Sequence, residues 1–149
     1  MATSSTSGGR AVGRRATLGQ IIRAGLTAAV LAAVLNVIIG FVAAPVVDAP
    51  AQLAPMQPVS IAVSTIAGVL LATVVFAFIN RFSSRPARLF TIVALVLLVL
   101  SYSNPIVIMG SDSPRFAGMT WPIAFVAMVM HTVAAAFSIV MLTRTVDRS

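Results

Sequence analysis

Four long apolar runs alternate with short polar connections along this chain of 149 residues. The first run, Ile21 to Ala44, carries one strongly polar side chain well inside it, Asn36. It predicts a helix over about 20–44, about 36 Å long, enough to cross a hydrocarbon core of about 30 Å with some tilt. Pro45 is expected to stop that helix. A loop follows, with Asp48 and no basic residue. The second run predicts a helix over about 58–82, opened by Pro58, whose missing N–H has no partner in a first turn. The third predicts a helix over about 86–109. A kink or break is expected in it at Ser101-Tyr102-Ser103-Asn104-Pro105, because Pro105 removes a backbone bond and disfavours a helical Asn104. The fourth predicts a helix over about 121–143. The predicted fold class is therefore all-α, an integral membrane bundle of four transmembrane helices over about 20–144. Residues 1–19 read as a disordered cytoplasmic tail and 145–149 as a second tail.

Within the first run, small or polar residues recur at every fourth position: Ala24, Ala28, Ala32, Asn36, Gly40 and Ala44. On a helix they form a ridge of low side chains, along which another helix backbone can come close in lipid. Ser64, Gly68 and Ala72 suggest a second such ridge. Asp48-x-Pro50 followed by Pro58 matches Asp112-x-Pro114 followed by Pro122 at a constant offset, which suggests a repeated hairpin.

Composition supports a membrane setting. The chain is 59% hydrophobic and 9% charged, against about 25% charged in soluble domains. All ten basic residues are Arg, and Asp48, Asp112 and Asp147 are the only acids. The net charge of +7 does not point to nucleic acid, because the Arg residues sit at the edges of apolar runs. Nine of them, Arg10, Arg14, Arg15, Arg23, Arg81, Arg85, Arg88, Arg144 and Arg148, fall on one side of the four predicted spans, and only Arg115 on the other. The positive-inside rule then places both termini in the cytoplasm, in what reads as a bacterial plasma membrane. Phe41, Tyr102, Phe116 and Trp121 fall near the outer edge, and Phe78, Phe82 and Phe90 near the inner one. Arg14-Arg15 ahead of the first run also fits a twin-arginine export signal. A signal core is usually about 7–15 residues, shorter than this run, and Arg23 interrupts the start, so a first transmembrane helix is the preferred reading and a cleaved signal the alternative.

Depth along each helix gathers the candidate chemistry. Asn36, Ser64, Thr65, Ser101, Tyr102, Asn104 and His131 all fall in the outward half. Hydrocarbon offers them no water, so they should face one another or a wet cavity. Two readings follow. In one they are polar glue that fixes packing within the bundle; in the other they line the outward vestibule of a small transporter or ligand-binding protein, where His131 binds a ligand or changes charge with pH. Met128 and His131, three apart on one face, form a weak Cu(I) alternative, since Met is also an ordinary filler of apolar cores. No cofactor is expected. A carboxylate pair is hard to assemble and Cys is absent, so an enzyme is not expected. The expected partners are the lipid bilayer and another membrane protein or a second copy of the chain.

In size the chain resembles the small four-helix proton-coupled exporters. That family requires a membrane-embedded Glu in its first helix, where this chain has Asn36, so the match fails at its essential residue. Arg14 with Arg15, the mid-helix Asn36 and Met130-His131 together resemble an uncharacterised family of small four-helix bacterial membrane proteins, over about Gln20 to Arg144. The resemblance implies the architecture and brings no activity with it.

Overall fold

A computed structural model describes residues 15–147. Most of the predicted N-terminal tail, with Arg10 and Arg14, and the last residues, with Arg148, lie outside the described residues. Five α-helices follow in order: α1 (Leu18–Val46), α2 (Pro58–Phe82), α3 (Pro86–Ser101), α4 (Ser103–Met109) and α5 (Trp121–Asp147). Short 3-10 turns at Ala54–Met56 and Pro114–Phe116 interrupt the two long loops. No strand occurs among the described residues. With α3 and α4 taken as one span, four helices are long and apolar enough to cross a membrane. The protein is thus an all-α bundle built for a membrane.

Local chemistry sets the ends. A capping box starts α1: the Thr17 hydroxyl accepts from the Gln20 backbone N–H at 3.3 Å, and Gln20 Oε1 accepts from the Thr17 N–H at 2.8 Å. Pro58 and Pro86 occupy first-turn positions of α2 and α3. Pro45 does not stop α1 as expected; the helix runs through it to Val46. So close to the C-terminus, a missing N–H removes only one bond. The stop comes from Asp48, which takes a left-handed backbone (φ 49°), while the Ala49 N–H bonds back to the Ala44 carbonyl at 2.9 Å. That is the longer of the two bonds of a Schellman motif, with Asp in the position glycine usually takes. Asp112 has no positive φ, so the two loops suggested as repeats end their helices differently. The expected break before Pro105 is present at Tyr102, between α3 and α4. At the C-terminal end α5 continues four residues past Thr143, so residues 145–147 of the expected tail are helical.

α1 packs against both α2 and α5, and α3 lies on the far side of that pair. The core has three storeys. Ile21, Phe76, Ile79, Phe90 and Leu142 fill the end that carries Arg23, Arg81, Arg85, Arg88 and Arg144, called here the arginine end. Ala28, Ala29, Ala32 and Val69 form the middle. Leu53, Met56, Ile61, Ile123, Val126 and Met130 fill the loop end. The ridge on α1 is buried as expected at Ala28, Ala32, Asn36 and Gly40. Gly25, outside the predicted ridge, makes the tightest approach: a Cβ there would collide with the Thr73 side chain of α2. The α2 ridge differs. Thr65, Val69 and Thr73 are its buried positions, whereas Ser64 and Gly68 are exposed. Phe90, expected at a membrane edge, is instead fully buried edge-on against Phe76, with ring centroids 5.0 Å apart.

Candidate functional site

Attachment of α3 at two levels shapes the site. Near the arginine end Phe90 locks it to α2 through Phe76. At its other end Tyr102 Oη and Thr132 Oγ1 of α5 lie 2.7 Å apart. Thr132 gives its proton to the Met128 carbonyl at 2.9 Å, so Tyr102 is the donor in that pair. Between these levels α2 and α3 stand apart, and a cavity of about 690 Å³ opens between α2, α3–α4 and α5. Along α2 its lining runs from Ser60 to Val75, a rise of about 22 Å. Leu71 and Leu97, on facing walls, are 66% and 52% exposed, so the cavity opens sideways between α2 and α3. Most of the lining is apolar.

The back of the cavity is a polar node. Asn36 is the one residue that α1 contributes, and it is 1% exposed. Its Nδ2 donates to Thr65 Oγ1 of α2 at 3.0 Å and to the Met130 carbonyl of α5 at 3.1 Å. A carbonyl only accepts, which fixes which way round the amide lies. Oδ1 is therefore on the other side, buried and without a donor. One side chain thus ties three helices together and keeps an acceptor in reserve.

His131 lines the same cavity, half-buried. Its Nδ1 lies 2.9 Å from the Ala127 carbonyl one turn back, so Nδ1 carries the proton and donates it. Nε2 has no bond and is not enclosed. Ser64 and Ser101 also line it, each donating to a carbonyl of its own helix, Ile61 at 3.1 Å and Leu98 at 2.7 Å. This is how a hydroxyl is satisfied in a helix surrounded by hydrocarbon. Asn104 and Arg115 stand towards the loop end of the lining. Arg115 has no ion-pair partner among the described residues.

Six of the seven predicted polar residues therefore share one cavity: Asn36, Ser64, Thr65, Ser101, Asn104 and His131. Tyr102 does not line it; it holds α3 to α5. Met128 does not line it either, whereas Met119 and Met130 do, and no group of three His, Cys, Asp or Glu suited to a metal occurs among the described residues. Thr132, Ser138 and Asn80 were not singled out in the sequence. Thr132 was signalled only by lying next to His131. Ser138 lines the deep part of the cavity, with its hydroxyl on the Ala134 carbonyl at 2.8 Å. Asn80, near the end of the helix predicted over 58–82, is buried at the arginine end, where its Nδ2 donates to the Ala16 carbonyl at 2.9 Å and its Oδ1 lacks a donor.

Fold and cavity define a four-helix membrane-type protein with a polar-floored pocket opening to the side. Within that class, the chain belongs to a family of unknown function, DUF6069, whose profile matches residues 16–148. The match covers nearly the whole chain, as the resemblance to an uncharacterised four-helix family implied. No curated protein and no solved structure matches it.

Proposed function

We propose that this protein is a non-catalytic membrane protein that holds a small lipid-like molecule in the cavity between α2, α3–α4 and α5. The observation that carries this reading is the cavity itself, about 690 Å³, whose mostly apolar walls carry a few polar groups, Asn36 and His131 among them. Sites for small molecules span about 300–1,000 Å³ and combine apolar walls with a few placed polar groups. A non-catalytic role is supported by the lining itself, which offers an imidazole but no carboxylate or thiol to work with it. A second reading, packing against a partner membrane helix or another copy of the chain, is supported by the exposed Gly68, where a Cβ would meet nothing within 4 Å.

Native mass spectrometry of protein gently extracted from its own membrane separates the two. The first reading expects the intact chain with a small bound molecule. A stable complex with a second protein and no small molecule overturns it in favour of the second.

The protein is further proposed to sit in a bacterial plasma membrane with both termini in the cytoplasm. The support is the clustering of Arg23, Arg81, Arg85, Arg88 and Arg144 at one end of the bundle. The chain has no cysteine, so single ones can report sidedness. In intact cells, a Ser111→Cys variant is expected to react with a membrane-impermeant maleimide and a Ser83→Cys variant only after lysis. The reverse pattern would invert the topology.

A further inference from the structure

Arg115 is the only basic residue in the two loops at the loop end of the bundle. It lines the cavity, and it has neither an ion pair nor a hydrogen bond among the described residues. Its 3-10 turn, Pro114–Phe116, packs on the turn Ala54–Met56 that leads into α2, which puts it at the loop end of the lining. Asp48 and Asp112, the acids of these loops, do not line the cavity, and neither pairs with Arg115. Two more donors without an acceptor lie towards this end: the Asn104 amide near the start of α4 and the Ser60 hydroxyl in the first turn of α2. All three residues are exposed, so the positive charge is held at an aqueous boundary and not in hydrocarbon. A guanidinium with further N–H and O–H donors nearby is complementary to an oxyanion.

The rest of the cavity has the opposite character. No other side chain that is charged at neutral pH lines it. Farther in, most polar groups are already bonded: the hydroxyls of Ser64, Ser101 and Ser138 donate to carbonyls of their own helices, and Asn36 Nδ2 is spent on Thr65 and Met130. Val75, Phe90, Val93 and Leu97 provide apolar wall around them. The open side between Leu71 and Leu97 admits a chain from within a bilayer. We infer that the cavity binds an anionic amphiphile, whose oxyanion headgroup is held by Arg115 at the loop end and whose alkyl chain lies along the α2–α3 gap. The inference rests on the cavity being a ligand site and adds the chemical class of the ligand.

The test is saturable binding of tritiated hexadecyl phosphate to the protein in phosphatidylcholine nanodiscs, with competition by unlabelled hexadecyl phosphate, hexadecanol or inorganic phosphate. Hexadecyl phosphate is expected to compete at least about tenfold better than hexadecanol, the effect of one hydrogen bond to a charged group. Arg115→Gln is expected to bring those two level, and Arg115→Lys, which keeps the charge, to retain most of the preference. Arg81→Gln, at the arginine end, is expected to change nothing. Gly68→Trp is expected to abolish binding by filling the gap. Equal competition by hexadecanol in the unmodified protein, with Gly68→Trp still abolishing binding, overturns the anionic headgroup and leaves the cavity as a ligand site. A preference that survives Arg115→Gln, or is lost in Arg81→Gln, overturns Arg115 as the partner of the anion. Inorganic phosphate competing as well as hexadecyl phosphate overturns the amphiphile in favour of a free anion. No saturable binding, or binding indifferent to Gly68→Trp, overturns the ligand site and the amphiphile together.

Discussion

Replacing Gly25 with leucine is expected to force α1 and α2 apart and to cost at least about 1–3 kcal/mol of bundle stability, the usual range for overpacking. The clash is not with the tip of a flexible side chain. A Cβ at Gly25 would run into the Oγ1, Cγ2 and Cβ atoms of Thr73 together. Thr73 cannot simply turn away, because its hydroxyl is bonded to the Val69 carbonyl at 2.8 Å and its other rotamers keep the branched Cβ in place. The backbones must therefore separate. That loosens the neighbouring alanine storey, where attraction depends on close approach. Unfolding in mixed micelles by increasing SDS fraction gives the measurement. Gly19→Leu is the control, since a Cβ there meets nothing within 4 Å. Equal losses in the two variants would show that the Gly25–Thr73 crossing is not the constraint.

Asn36→Ala is expected to lower stability by about 1–3 kcal/mol, through loss of two interhelical hydrogen bonds. The loss is bounded because the buried Oδ1, which costs stability as it stands, leaves with the side chain. A double-mutant cycle with Thr65→Val isolates one of the two bonds. The expected coupling is about 0.6 kcal/mol and no more than about 1.7 kcal/mol, the range for hydrogen bonds between membrane helices. A coupling of zero would mean that Asn36 and Thr65 are close without contributing to each other.

The spans were legible in the sequence because hydropathy alone sets them. The faces were less so. Lipid and a protein interior are equally apolar, so an apolar residue carries no mark of which one it meets. The first and third spans have nearly the same mean hydropathy, yet the most apolar window of the first is 33% buried and that of the third 6%. The Ser64–Gly68–Ala72 spacing has the same form as the α1 ridge, yet Ser64 and Gly68 remain exposed. Polar side chains were better guides. Asn36, Thr65 and His131 are costly in hydrocarbon wherever they lack partners, so their common depth was evidence of common surroundings. Asn80 was missed because it lies at the arginine-rich end of its span, where a polar side chain is ordinary and carries no mark of burial. Gly25 was missed because a tight crossing depends on the helix opposite, which periodicity along one helix does not record.

The Asn36 node also has a direction in time. Its two bonds join residues 29 and 94 positions apart. During synthesis α1 can pair with α2 as soon as both have emerged, and Asn36 then has Thr65. The Met130 carbonyl arrives only with α5. Until then half of the amide's partners do not exist, and a chain that ends before α5 carries that deficit permanently. α5, made after the other four helices, is thus the one that completes α1, so a product cut before α5 is marked as incomplete at the centre of the bundle rather than at its cut end.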